Sequence, residues 1–198
     1  MDSLLFDFWG TLAYLEYGRD FIAEIASSLD ITESEYKEFV VEKWHKEDLS
    51  PEEFAIKLSD HFGKSPAKNL VTLLSIPIER IKLYTDVIPN LNRLVKEYKL
   101  ALVSDTTNIG KKCVCHTEME KYFENIFFSC DYGITKREGL YEVAIRKLEI
   151  EPWACTIIGN SVNSDYAIAK KIGARGILID RKNQHKGVRK IITLWELK

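Results

Sequence analysis

The chain has 198 residues, 45% of them hydrophobic and 29% charged, with a formal net charge of −2. This length supports one domain with a buried core plus a smaller insertion, and the near-neutral charge argues against nonspecific nucleic-acid binding. No apolar run approaches membrane-spanning length, and the chain opens on a strand rather than a signal peptide, so a cytoplasmic protein is expected.

The first element is a short apolar strand, Ser3-Leu4-Leu5-Phe6, which runs directly into Asp7-Phe8-Trp9-Gly10-Thr11-Leu12. A carboxylate at the end of a buried strand is costly unless compensated. With Gly10 and Thr11 forming a tight turn behind it, Asp7 is placed for chemistry where strand meets loop.

Residues 14–83 carry helix starts and no convincing strand. Thr32-Glu33-Ser34-Glu35 is a capping box, and Ser50-Pro51-Glu52-Glu53 is a second with proline at the first helical position. Phe54, Leu58 and Phe62 repeat every fourth residue behind it. A segment this long is not a structureless loop. It reads as a helical subdomain inserted after the first strand, giving a core of residues 1–13 and 84–198 and an insertion of 14–83.

From there strands and helices alternate. Residues 99–104, 126–128, 154–158 and 175–180 are continuous apolar runs without alternation, the pattern of parallel strands covered on both faces. Amphipathic helices lie between them, with Leu91, Leu94, Val95 and Tyr98 on one face, Tyr141, Ala144, Ile145 and Leu148 on the next, and Ala167, Ile168 and Ile172 on a third. The fold class is therefore α/β, a doubly wound parallel sheet. Cys113-Val114-Cys115-His116 has no second Cys/His pair at zinc spacing, and with Cys130 and Cys155 isolated the four thiols read as structural. The basic run 181–186 reads as a solvated loop.

In open parallel sheets, ligands sit beyond the carboxyl ends of the strands. Those ends carry Asp7 with Gly10 and Thr11; Ser104, Asp105, Thr106 and Thr107; Lys136 after Gly133-Ile134-Thr135; and Gly159-Asn160-Ser161-Val162-Asn163-Ser164-Asp165. Singly each has a bland explanation: Asp165 as a helix cap, Ser104 as a turn residue, Lys136 as a surface lysine. In this order they match the four motifs of the haloacid dehalogenase-like (HAD) hydrolases, whose nucleophile loop Asp-x-Asp-Gly-Thr the segment at Asp7 resembles. The resemblance covers almost the whole chain. It implies a Rossmann-like core with an all-helical cap inserted after the first motif, and a central first strand beside the one ending at Ile158.

The resemblance also implies roles. Asp7 is the nucleophile that forms a covalent intermediate. Lys136 neutralises it and the transferring group. Ser104, with Asp105 and Thr106 beside it, and Lys136 bind the phosphoryl oxygens, and Thr11 closes the turn behind Asp7. Asp7, the Trp9 backbone carbonyl, Asn160 and Asp165 hold a Mg²⁺, a hard cation that takes oxygen ligands. Trp44, His45 and Phe54 are candidates for substrate selection.

Two positions depart from the family pattern. Trp9 replaces the Asp that acts as general acid and base, a role worth ~10²–10⁴-fold. Asn160 replaces the Asp of the usual Gly-Asp, removing a charge from the metal site. Three functions remain open on this reading. The first is a Mg²⁺-dependent phosphatase on a small phosphate ester, for which aryl or acyl phosphates suit the missing acid better than sugar phosphates. The second is a 2-haloacid dehalogenase acting on a halocarboxylate, with Arg19 as a partial match for its carboxylate-binding Arg; halide needs no proton. The third is a non-catalytic protein that binds a phosphorylated ligand, with Trp9 merely packing against the cap.

Overall fold

The computed structural model describes residues 2–16, 20–65 and 68–197. In chain order the elements are β1 (Ser3–Phe6), β2 (Ala13–Leu15), α1 (Asp20–Ser28), α2 (Glu33–Glu42), α3 (Pro51–Phe62), α4 (Leu70–Arg80), β3 (Ile81–Leu83), α5 (Val87–Leu94), β4 (Lys99–Ser104), α6 (Asn108–His116), β5 (Asn125–Phe128), α7 (Ser129–Tyr132), α8 (Leu140–Lys147), β6 (Cys155–Gly159), α9 (Ala167–Ile172), β7 (Arg175–Ile179) and β8 (Lys190–Ile191).

Six strands form a parallel sheet in the order β5-β4-β1-β6-β7-β8. Phe6 lies opposite Leu102 on one side and Ile158 on the other, so β1 is central. Its residues are buried on both faces because helices cover both. Leu4, Phe6, Leu100 and Leu102 join Leu91, Leu94, Ile109 and Val114 on one face. Leu5, Ala101, Val103 and Ile157 join Tyr141, Ala144, Ile145 and Ala169 on the other. Burying each of the larger side chains contributes ~1.5–3 kcal/mol, which makes the two layers the main source of stability.

Helix faces shift slightly from expectation. Val95 is exposed, and Ala169 rather than Ala167 faces the sheet from α9.

Both capping boxes form as read, with Thr32 bonded reciprocally to Glu35 and Ser50 to Glu53. The absence of strands in 14–83 does not hold. Strands β2 and β3 pair antiparallel, Ala13 with Leu83 and Leu15 with Ile81, so a short ribbon joins the two ends of the helical stretch. Three residues per strand are too few to show a period, and the pairing is non-local. Strand β8, two residues long, escapes a sequence reading for the same reason.

Helix α4 packs on α6. Lys46 pairs with Glu138 at 2.5 Å, and Lys111 bridges Asp48 at 3.0 Å and Asp131 at 2.6 Å. The helical stretch is thereby held over the carboxyl ends of β1 and β4.

The basic run is not uniformly solvated. Arg181 is largely buried: it donates to Asp86 Oδ2 at 2.5 Å and to the Thr11 carbonyl at 2.8 Å, and lies 4.1 Å from the Tyr84 ring centroid. Removing a guanidinium from water requires such partners, and here they are a carboxylate, a carbonyl and an aromatic face.

Candidate active site

Asp7 stands one residue beyond β1, and its N–H donates to the Ile158 carbonyl at 2.9 Å, continuing the pairing with β6. The chain then reverses: the N–H groups of Leu12 and Ala13 both donate to the Phe8 carbonyl. Gly10 makes the reversal possible. Its φ is +77°, and a Cβ there would lie 2.1 Å from the Asn160 side-chain nitrogen, so the turn needs glycine for both conformation and space.

Asp7 is only 3% exposed. Oδ1 accepts from Lys136 Nζ at 2.7 Å, and Oδ2 from the Thr11 hydroxyl at 2.9 Å. Lys136 Nζ also donates to Asp165 Oδ1 at 2.7 Å, so a single ammonium bridges two buried carboxylates. A third carboxylate, Asp105, receives the Lys136 backbone N–H at 2.7 Å. Before Lys136 the chain is fixed by Thr135, whose N–H and hydroxyl both donate to Glu138.

Burial pushes the Asp7 carboxyl up to about 6; Lys136 pulls it down and Asp165 adds to the rise. For Lys136, burial opposes the charge, but Asp7, Asp165 and Asp105 outweigh it and hold the ammonium above the usual lysine range. Burial also raises Asp105. Three carboxylates around one ammonium leave an excess of negative charge at the strand ends.

Asp165 is fully enclosed. Oδ1 also accepts from the Tyr141 hydroxyl at 2.9 Å, and Oδ2 from the Ser161 N–H at 2.9 Å. A Cβ on Gly159 would meet this carboxylate at 2.3 Å, so the glycine ending β6 makes room for it. Burial, together with Asp165 and Asp7, pushes the Tyr141 phenol well above its ordinary value, which keeps it a proton donor.

The remaining candidates are placed as follows. Ser104 is fully buried and its hydroxyl has no partner among the described residues, a costly state that a ligand oxygen would relieve. Thr106 is occupied: its N–H donates to Ser129 Oγ at 2.9 Å, and its hydroxyl accepts the Trp9 indole N–H at 3.2 Å. Arg19 lies outside the described residues. Trp44 and His45 line a cavity described below, whereas Phe54 is wholly buried beneath Trp44, their rings stacked at 3.6 Å. Tyr141 and Ser129 were not among the sequence candidates, and Ser161 stood there only as part of the 159–165 stretch. The signal for Tyr141 was a tyrosine on a buried helix face, whose hydroxyl needs a partner.

For a Mg²⁺, Asp165 Oδ1 already accepts two hydrogen bonds and Oδ2 a third, whereas each Asp7 oxygen accepts one and keeps a lone pair, so in this arrangement Asp165 serves as the counter-charge of Lys136. The donors left are Asp7, the Trp9 carbonyl and the Asn160 carboxamide, which packs over Gly10. One carboxylate and two neutral oxygens fit Mg²⁺, which commonly takes few protein ligands and completes its octahedron with water and substrate phosphate. Among the described residues, Asp48, Cys130 and Asp131 also converge, but Lys111 already supplies their cation.

No curated protein matches the sequence at a significant level. Solved structures do match in fold. A HAD phosphatase from Thermococcus onnurineus aligns with a TM-score of 0.72 and 22% identity over 100% of this chain and 96% of that one. A HAD family enzyme from Bacteroides thetaiotaomicron, in complex with magnesium and inorganic phosphate, aligns at 0.75 and 20% over 93% and 96%. A 2-haloacid dehalogenase from Pseudomonas syringae pv. tomato aligns at 0.70 and 19% over 100% and 96%. At such identities the likeness speaks for the fold. The family itself is set by the sequence: the haloacid dehalogenase-like hydrolase family matches residues 1–173, and the chain belongs to it.

Proposed function

We infer that the chain hydrolyses a small phosphate monoester through a covalent aspartyl phosphate on Asp7. The observation that supports this most is the buried Asp7 carboxylate, held between Lys136 Nζ and the Thr11 hydroxyl at the end of the central strand. In this reading residues 14–83 act as a helical cap over a core of 1–13 and 84–198.

The chemistry follows from the residues. An Asp7 oxygen attacks phosphorus, the bond from phosphorus to the leaving oxygen breaks, and the leaving group departs as an oxyanion. Lys136 offsets the charge of nucleophile and phosphoryl group in a site where water is largely excluded. Asp165, Tyr141 and Asp105 fix Lys136 in place. Ser104 offers its hydroxyl to a phosphoryl oxygen. Mg²⁺ held by Asp7, the Trp9 carbonyl and Asn160 would supply Lewis-acid neutralisation of the phosphoryl charge. Water then attacks phosphorus, releasing phosphate and restoring the Asp7 carboxylate. With an indole at Trp9, no side chain there protonates the leaving group or activates that water, so leaving groups that depart unprotonated are favoured.

The same feature favours a second reading, displacement of halide from a 2-halocarboxylate, since halide needs no proton. Turnover of acetyl phosphate and 2-chloropropionate, each with EDTA and over a Mg²⁺ titration, separates the two. The phosphatase reading expects phosphate release that EDTA abolishes and high Mg²⁺ restores, and that Asp7→Asn lacks. Halide release that survives EDTA would replace it with the dehalogenase. Turnover of neither would leave a binding protein.

A further inference from the structure

Between the helical stretch and the strand ends lies a cavity of about 410 Å³, lined mainly by apolar groups that include Trp9, Phe21, Tyr36, Trp44, Leu74 and Ile109. This is within the size range of small-molecule sites. It meets the charged cluster at two residues. Trp9 follows Asp7 by two positions, and Asp105 binds the Lys136 backbone.

The polar residues in the wall, Lys37, His45, Asp105, Thr106 and Thr107, are outnumbered by apolar and aromatic ones, and several already bond within the protein. The Thr106 hydroxyl holds Trp9, the Thr107 hydroxyl caps α6 at Gly110, and Lys37 pairs with Glu33 at 2.6 Å. The aromatic walls are themselves fixed. Trp9 is held by its N–H and by edge-on packing against Phe8 at 4.9 Å, and Trp44 by its stack on Phe54. A polyhydroxylated leaving group entering here would give up water and find few partners. A flat apolar ring would meet aromatic faces and edges already in place.

We propose that this cavity receives the leaving group, and that the substrate is an aryl phosphate whose leaving group is an extended aromatic ring. The proposal rests on the phosphatase reading above. Two independent features select the same class. The walls are apolar and aromatic, and Trp9 cannot supply the proton that an alkoxide needs, whereas a phenolate, whose conjugate acid resembles the tyrosine side chain at pKa ~10, leaves without one. A small acyl phosphate also leaves unprotonated but would leave the cavity unfilled, which decides between the two.

The test must separate size from leaving-group reactivity. 2-Naphthyl phosphate and phenyl phosphate have leaving groups of similar acidity but different area, and acetyl phosphate has a better leaving group with almost no area. With Mg²⁺ present, kcat/KM is expected to be at least about ten-fold higher for naphthyl than for phenyl phosphate, and higher for naphthyl than for acetyl phosphate. Val41→Phe, at an exposed position on the cavity wall, should lower the naphthyl-to-acetyl ratio several-fold, with a melting curve confirming a folded protein. Equal kcat/KM for naphthyl and phenyl phosphate, or acetyl phosphate as the best substrate, would overturn the proposal and leave the phosphatase reading standing. No Asp7-dependent turnover of any of the three would remove both.

Discussion

Two buried ionic clusters meet at Thr11 and differ in their charge balance. On one side the Thr11 hydroxyl donates to Asp7, which shares Lys136 with Asp165, and Asp105 stands on the Lys136 backbone. On the other side Arg181 donates to the Thr11 carbonyl and to Asp86, whose Oδ2 also takes the Leu194 N–H at 2.7 Å. The Arg181 cluster pairs one cation with one anion and ties β7's end to α5 and the C-terminal turn. Lys136 faces three carboxylates. A structural pin needs neutrality to offset desolvation. An unbalanced cluster with a carboxyl raised to about 6 is instead a common signature of a reactive site.

Replacing the shared cation should separate the two clusters most strongly. Lys136→Met leaves Asp7 and Asp165 buried without their ammonium, and removing one member of a buried ion pair typically costs ~3–5 kcal/mol. Urea unfolding at pH 8 should show a loss of that order together with loss of the proposed phosphatase activity. At pH 5 the deficit should shrink, because protonation of Asp7 removes its unpaired charge. A variant as stable as the wild type at pH 8 would place Lys136 outside the cluster.

The matching change on the other side is Arg181→Met. It removes charge-assisted hydrogen bonds to Asp86 and the Thr11 carbonyl, a cost of roughly 2–3 kcal/mol. Turnover at saturating substrate should change little while the melting temperature falls. A large drop in kcat with unchanged stability would move Arg181 from the structural to the reactive cluster.

Asp7→Asn should have the smallest effect on stability and a complete effect on turnover. The folded carboxyl titrates near 6 against an ordinary value of 3.8, mainly through burial. Between these pH values the folded protein holds more protons than the unfolded chain, so this group's contribution makes stability fall as pH rises from about 4 to about 6, and the loss persists above. The amide variant lacks that decline, and above pH 6 it should melt no lower than the wild type. Wild-type activity should fall as pH drops through about 6, because the neutral carboxyl is not a nucleophile. A variant that unfolds readily at pH 7.5 would mark Asp7 as structural.

Much of this was legible in the sequence for identifiable reasons. β1, β4, β5, β6 and β7 are continuous apolar runs long enough to show that both faces are covered, and the caps at Thr32 and Ser50 are local chemistry. Asp7, Lys136 and Asp165 stood out through their order at strand ends. The ribbon β2–β3 and β8 were too short to show a pattern. Arg181 and Asp86 lie far apart in sequence, and nothing local links them. The apolar repeat of α3 identifies a buried face but not what it faces. Phe54 stood beside Trp44 and His45 as a candidate for substrate selection, while it packs under Trp44 and leaves Trp44 and His45 at the cavity. Trp9 was read as a lost acid, with packing against the cap as the alternative; its bond to Thr106 and its place in the cavity wall depend on tertiary contacts.

The central claim is that Asp7 is a nucleophile held by Lys136, and a covalent adduct tests it most directly. Rapid acid quenching of the enzyme with Mg²⁺ and 2-naphthyl phosphate, followed by mass spectrometry of the peptide carrying Asp7, should reveal a phosphoryl group on that residue. The adduct should accumulate because no side chain at Trp9 activates the water that removes it. Sustained phosphate release with no adduct on Asp7 at any quench time, and undiminished in Asp7→Asn, would contradict the account.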